Sequence, residues 1–196
     1  MWHNDGVTKD RRREKPEKRA PKPLDAASLE RLALHYVERF ATTRGRLSDY
    51  LRRKLRERGW ADGAGAAPDP DALAQRLADL GYIDDRGFAE ARAASMQRRG
   101  LGARRVAGAF RADGIEDSDA DAVAPAIADR GVDAALAYAR RKRLGPYGDP
   151  DRIQGDDRAV RQKQLAAMIR AGHSFELARK ILAAPASDEF DPADFA

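Results

Sequence analysis

The chain has 196 residues, which suits one or two compact domains or a short run of repeats, and 42% of them are hydrophobic, enough to supply a core. It contains no cysteine, which excludes a disulfide framework and thiolate metal sites. No apolar run approaches the roughly 20 residues that a membrane-crossing helix needs, so a cytoplasmic protein with no membrane partner is expected. The net charge of +5 suits a nucleic-acid partner, but its distribution says more: residues 30–60 carry +5, 61–85 carry −5, 86–115 carry +5, 116–136 carry −5 and 137–184 carry +6. A plain nucleic-acid binder gains nothing from the acidic blocks, whereas a protein docking on a mixed-charge protein surface uses both signs. Complementation of helix dipoles is the plainer explanation of the same pattern.

With 39 alanines, few aromatics and almost no alternating β-branched runs, helix is the favoured conformation throughout. Residues 1–24, rich in Arg, Lys, Glu and Pro, have too little apolar content to order themselves and predict a disordered basic tail. A helix from Ser28 to about Thr42 follows, with Ser28 as N-cap and Leu29, Leu32, Ala33, Tyr36, Val37 and Phe40 on one face. The second helix, Leu47 to Arg58, buries Leu47, Leu51 and Leu55. After a flexible linker at 61–67, Asp69-Pro70 supplies an N-cap and a first-turn proline for a third helix on Leu73, Leu77 and Leu80, ending at Gly81.

A second set begins at Asp84 or Asp85. Its helices run to about Gly100, from Gly102 to Asp113, and from about Asp117 to Arg130, where Pro125 predicts a kink or break. A third set comprises Val132 to Leu144, Asp157 to Ala171 and Ser174 to Ala184, with an irregular loop over 145–156. Residues 185–196 form an acidic tail, expected to be disordered.

One duplication ties these sets together. Shifted by 55 residues, Gly45 meets Gly100, Leu51 meets Val106, Leu55 meets Phe110, Gly59 meets Gly114 and Trp60 meets Ile115. Each copy is a glycine break, apolar residues four apart, then a glycine and a large apolar side chain, the signature of a short helix with a buried stripe and a C-cap. Such units cannot bury an apolar face alone and stack on their neighbours. The expectation is an all-α fold without β-sheet, an elongated tandem array of three three-helix repeats over 25–82, 83–131 and 132–184.

No convergent set of acids, bases or ligands identifies an enzyme, a metal site or a cofactor site. His3, His35 and His173 fall in unrelated places. Asp84-Asp85 and Asp156-Asp157 are explained as caps at helix starts better than as magnesium ligands, because a third acid is missing. Gly100-Leu101-Gly102 follows a helix rather than a strand, so it is a turn and not a phosphate loop. The arginine clusters are the stronger lead: Arg52, Arg53 and Arg56, then Arg98, Arg99, Arg104 and Arg105, then Arg140, Arg141, Lys142 and Arg143. Their guanidinium groups could bind phosphate or carboxylate along one ridge, although a solvated helix face explains any single one of them.

The linked pattern Leu80-Gly81-Tyr82-Ile83-Asp84-Asp85, Phe88-Ala89, Arg98-Arg99-Gly100-Leu101-Gly102 and Phe110-Arg111-x-x-Gly114-Ile115 resembles the bacterial RecX regulatory proteins. The resemblance runs over about residues 28–184. It implies a cytoplasmic protein of three tandem three-helix repeats that binds the RecA recombinase filament on single-stranded DNA and restrains its ATP hydrolysis, strand exchange and coprotease activity; a monomer is the default expectation, with the unpaired ends of the array leaving room for a dimer. The rival reading of the same helices is a stand-alone DNA-binding module of the helix-turn-helix kind.

Overall fold

The computed structural model describes residues 22–148, 158–185 and 191–195. Among these residues nine α-helices follow in order: α1 (Ala26–Arg39), α2 (Arg44–Arg58), α3 (Pro70–Asp79), α4 (Asp85–Arg98), α5 (Ala103–Ala112), α6 (Asp117–Asp129), α7 (Gly131–Lys142), α8 (Arg158–Arg170) and α9 (Phe175–Ala183). Short 3-10 turns occupy Gly145–Tyr147 and Pro192–Phe195. Among the described residues the fold is all-α. A parallel bridge joins Leu24 and Trp60, made by Leu24 N–H donating to Gly59 O at 2.9 Å and Ala61 N–H donating to Leu24 O at 2.8 Å.

The helix ends follow local chemistry, with some shifts from expectation. Asp25, not Ser28, caps α1: its carboxylate accepts the Ser28 N–H at 2.7 Å while the Ser28 hydroxyl accepts the Asp25 N–H at 2.9 Å, a reciprocal box that moves the helix start two residues earlier. Thr43 caps α2, which therefore begins three residues before Leu47. Asp69 and Pro70 open α3 as expected, and Gly81 at φ +81° follows its last turn, with Tyr82 N–H donating to Leu77 O. The break expected at Pro125 does not occur, and α6 runs through it. Pro125 and Asp121, whose carbonyl loses its partner, both face solvent, while Val123 and Ile127 face inward, so water can satisfy the freed group.

Three apolar clusters lie in sequence along the chain. Leu29, Leu47, Leu51, Leu73, Leu77 and Ile83 centre the first, among α1–α3. Ser48, 2% exposed, lets α2 approach the start of α3, where its hydroxyl lies 3.4 Å from Pro70 O. Ala89, Ala93, Met96, Val106, Phe110, Val123 and Ile127 form the second, among α4–α6. Ala135, Ala139, Met168, Ala178 and Ile181 form the third, among α7–α9. The arrangement is consistent with tandem three-helix units.

Two segments expected to be disordered contribute to these clusters. Leu24, at the end of the basic stretch, is fully buried in the first, and Phe195 is 8% exposed in the third, where the final 3-10 turn packs against α7 and α9. Burying a side chain of this size stabilises by about 1.5–3 kcal/mol, enough to hold a short segment that sequence composition marks as polar. The remaining parts of both tails, residues 1–21, 186–190 and 196, lie outside the described residues, as does most of the 145–156 loop.

Candidate functional site

The first and second clusters meet at the opening turn of α2. Arg44 is the hub of this joint. Its backbone N–H donates to Asp85 Oδ1 at 2.9 Å, its Nε to Asp85 Oδ2, one terminal nitrogen to Gln75 Oε1 at 2.8 Å, and the other pairs with Asp119 at 3.0 Å and Glu116 at 3.1 Å. The hydrogen bond that it donates to Asp85 holds the Arg44 guanidinium above its usual range, against the opposing effect of burial. Asp85 is therefore not a cap. Asp84 alone caps α4, accepting the Gly87 N–H at 2.8 Å, and Asp85, 6% exposed, faces across the joint.

Beside this hub, the Thr43 hydroxyl donates to Asp113 O, and the buried Asp113 carboxylate sits between Arg46 and Arg92. Arg46 also lies over the Phe88 ring, 5.1 Å from its centroid. The backbones touch where Gly45 meets Gly114: a Cβ on Gly45 would lie 2.6 Å from the Gly114 Cα. Only glycine permits that approach.

The second and third clusters meet differently. Gly102 N–H donates to Ala171 O at 2.9 Å, Arg104 N–H donates to Gly172 O at 3.2 Å, and a Cβ on Gly102 would fall 2.5 Å from Gly172 C. Gly102, rather than Gly100, thus does for this joint what Gly45 does for the first. Gly100 serves a separate contact, lying flat under the Tyr138 backbone of α7. His173, 3% exposed, directs Nε2 at Gly100 O at 3.1 Å, which makes Nε2 the protonated nitrogen, and its ring sits 5.8 Å from that of Tyr138. Burial holds this imidazole below its usual range.

The arginines singled out from the sequence divide by partner. Arg52 is held between Asp49 and Asp71. Arg53 lies near Glu57 and over Tyr50, and with Arg46, Arg56, Asp49, Tyr36 and Tyr50 it lines an open groove of about 500 Å³ between α1 and α2. Arg98 and Arg99 end α4, with Arg98 facing a groove of about 260 Å³ shared with Gln97, Arg130 and Asp133. The Arg104 and Arg105 side chains stand exposed at the start of α5. Arg140 and Arg141 lie over Tyr147 and Tyr138. Arg143, after Lys142 at the end of α7, takes φ +52°, the one left-handed non-glycine among the described residues.

Sequence reasoning missed Arg44, Arg46, Asp85 and Asp113 as joint residues, because the pairs are 41 to 75 positions apart and share no motif. The duplicated glycines were the only available signal. No group of three or more His, Cys, Asp or Glu positioned to hold a metal occurs among the described residues, and Asp156-Asp157 lies outside them. Among the described residues, no helix is long and apolar enough to cross a membrane.

The described residues form a helical scaffold with basic groups at several helix ends, in which the buried Thr43, Asp85, Asp113 and His173 serve the joints between clusters. The chain is 34% identical to the regulatory protein RecX of Myxococcus xanthus over 183 residues, 88% of this chain and 93% of that one. It is 30% identical to the RecX of Agrobacterium fabrum over 155 residues, 77% of this chain and 79% of the other. The fold matches the crystal structure of RecX from Lactobacillus salivarius with a TM-score of 0.59 at 19% identity, covering 80% of this chain and 93% of that one. A second RecX crystal structure matches with a TM-score of 0.53 at 20% identity, over 80% of this chain and 72% of that one. No family model matches the chain. The chain belongs to the RecX family of regulatory proteins.

Proposed function

We propose that this protein docks as a monomer on the cytoplasmic RecA filament formed on single-stranded DNA, and there restrains ATP hydrolysis, strand exchange and coprotease activity without catalysing a reaction. The observation that carries the reading is the split among its cations. Arg44, Arg46, Arg52 and Arg92 are committed to carboxylates of the chain itself. Arg56, Arg98, Arg104, Arg105 and Lys142 are exposed and carry no ion pair among the described residues, so binding an anionic partner breaks no such pair.

The three apolar clusters support taking residues 25–82, 83–131 and 132–184 as repeats that hold these cations at fixed separations. A rigid spacing of this kind lets several modest contacts act together across neighbouring subunits, and a chain laid across them blocks the rearrangements that turnover requires. Reversal of Arg98, Arg99, Arg104 and Arg105 to glutamate tests it. The expected result is loss of inhibition of DNA-dependent ATP hydrolysis with helical circular dichroism intact, and undiminished inhibition removes these residues from the interface.

Exposed basic residues at the start of α5, a short helix inside a three-helix cluster, favour a second reading as a stand-alone DNA binder. Binding to DNA without RecA, with a loss of roughly 10³ to 10⁵ in affinity between 50 and 200 mM salt, would select it.

A further inference from the structure

The segment Leu80 to Asp85 is among the most informative in the sequence, and the structure accounts for four of its six side-chain positions. Gly81 supplies the positive φ that closes α3, Ile83 is 6% exposed in the first cluster, Asp84 caps α4, and Asp85 anchors Arg44. Leu80 and Tyr82 are the remainder. Their backbone N–H groups complete the end of α3, a service any residue other than proline provides, while their side chains are 64% and 52% exposed. Neither side chain stacks, hydrogen-bonds or joins an apolar cluster among the described residues. Exposed Phe40 differs, since Tyr36 and Arg39 both pack on its ring.

The surroundings restrict what could cover this pair. Exposed Asp79 and Asp84 flank it within a block of sequence carrying −5, and the nearest cations in the chain are already engaged, Arg76 with Glu30 and Arg86 with Glu90. Single-stranded nucleic acid stacks its bases on aromatic side chains only where cations run alongside to hold the phosphates. Here phosphate would meet carboxylate. A protein surface with an apolar pocket rimmed by Lys or Arg meets both the rings and the charge.

We propose that Leu80 and Tyr82 form an anchor that seats in an apolar, basic-rimmed pocket on the protein component of the partner, separate from the cationic helix ends that face anions. The inference rests on the filament reading and assigns a protein contact to one part of the surface. Tyr82 suits the role because a tyrosine brings large apolar area and a polar tip at the cost of few rotors.

The test uses the full chain with Leu80→Ser and Tyr82→Ser together. Both positions are exposed, so helical content and melting temperature should match wild type. Affinity for the RecA filament on single-stranded DNA, read by cosedimentation with a nonhydrolysable nucleotide, should fall about tenfold or more, with affinity for naked single-stranded DNA unchanged. Asp79→Lys, which reverses charge at the rim, should weaken filament binding several-fold.

Equal filament affinity of wild type and the double variant overturns the anchor alone. A parallel loss of binding to naked DNA assigns the pair to nucleic acid and overturns it too. So does sedimentation equilibrium showing a wild-type dimer that the double variant dissolves without change in filament binding, since the occupant is then a second copy. A wild-type chain that fails to cosediment at all overturns the filament reading itself and the anchor with it.

Discussion

The two joints in this chain solve one geometric problem with different chemistry. Each brings the start of a helix against a helix-helix turn further along, glycine on glycine: Gly45 on Gly114, and Gly102 on Gly172. The first joint is ionic, with Arg44 reaching Asp85, Glu116 and Asp119 and with Asp113 between Arg46 and Arg92. The second is built from backbone hydrogen bonds, a neutral histidine and the packing of α4 on α7, and no comparable helix face joins the first cluster to the second. Salt reaches the outer members of the first joint, Glu116 above all, more than the buried Asp85 and Asp113, and it has little to screen in the backbone contacts of the second.

Removing the hub should have the largest effect. Arg44→Ala leaves the Asp85 carboxylate buried without its cation and should cost about 3 kcal/mol in thermal or chemical unfolding, against a range of about 3–5 kcal/mol for fully buried pairs, because Arg44 is itself partly exposed. Asp85→Asn, which keeps the shape and drops the charge, should cost less. If Arg44→Ala melts like wild type, the joint is not held by this network.

Gly102→Ala comes next. The added methyl meets Gly172 backbone that cannot yield without moving the third cluster, so a loss of about 1–3 kcal/mol is expected, with faster amide exchange in α8 and α9 than in α1 to α3. Uniform exchange along the chain would mean that the third cluster does not depend on this contact.

The smallest effect is that of pH on the second joint. His173 titrates below the ordinary imidazole value of 6.5 because it is buried, so as pH falls through that value the unfolded chain takes up a proton that the folded chain refuses. The unfolded state then binds more protons, and stability declines as the solution is acidified below about 6.5, while above it the contribution is constant. His173→Gln, which retains a donor for Gly100 O, should flatten the profile between pH 7.5 and 5.5. An equally steep profile in that variant would assign the dependence to another group.

Much of the architecture was legible in the sequence because it depends on neighbours in the chain. Asp69-Pro70, Asp84 and Ser174 open helices through side-chain or ring geometry acting within three residues, and the apolar spacings of α2, α5 and α9 declare which face is buried. Errors fell where a local rule met a nonlocal circumstance. The rule predicts a kink or break at Pro125 because it counts a lost hydrogen bond, and the helix continues because that bond lies on the solvent side. Leu80 fits the apolar period of α3 yet faces outward, since the helix ends at Asp79 and the next residue no longer points into the cluster.

The sequence by itself determined most of the helices and the places where cations gather, since each is set by interactions between residues a few positions apart. Which arginines are structural and which are free was decided only by the tertiary structure. Arg44 and Arg98 look alike in sequence, and what separates them is whether folding carries a carboxylate from tens of residues away to within reach of the guanidinium. That is a property of how the clusters meet, and no local pattern encodes it.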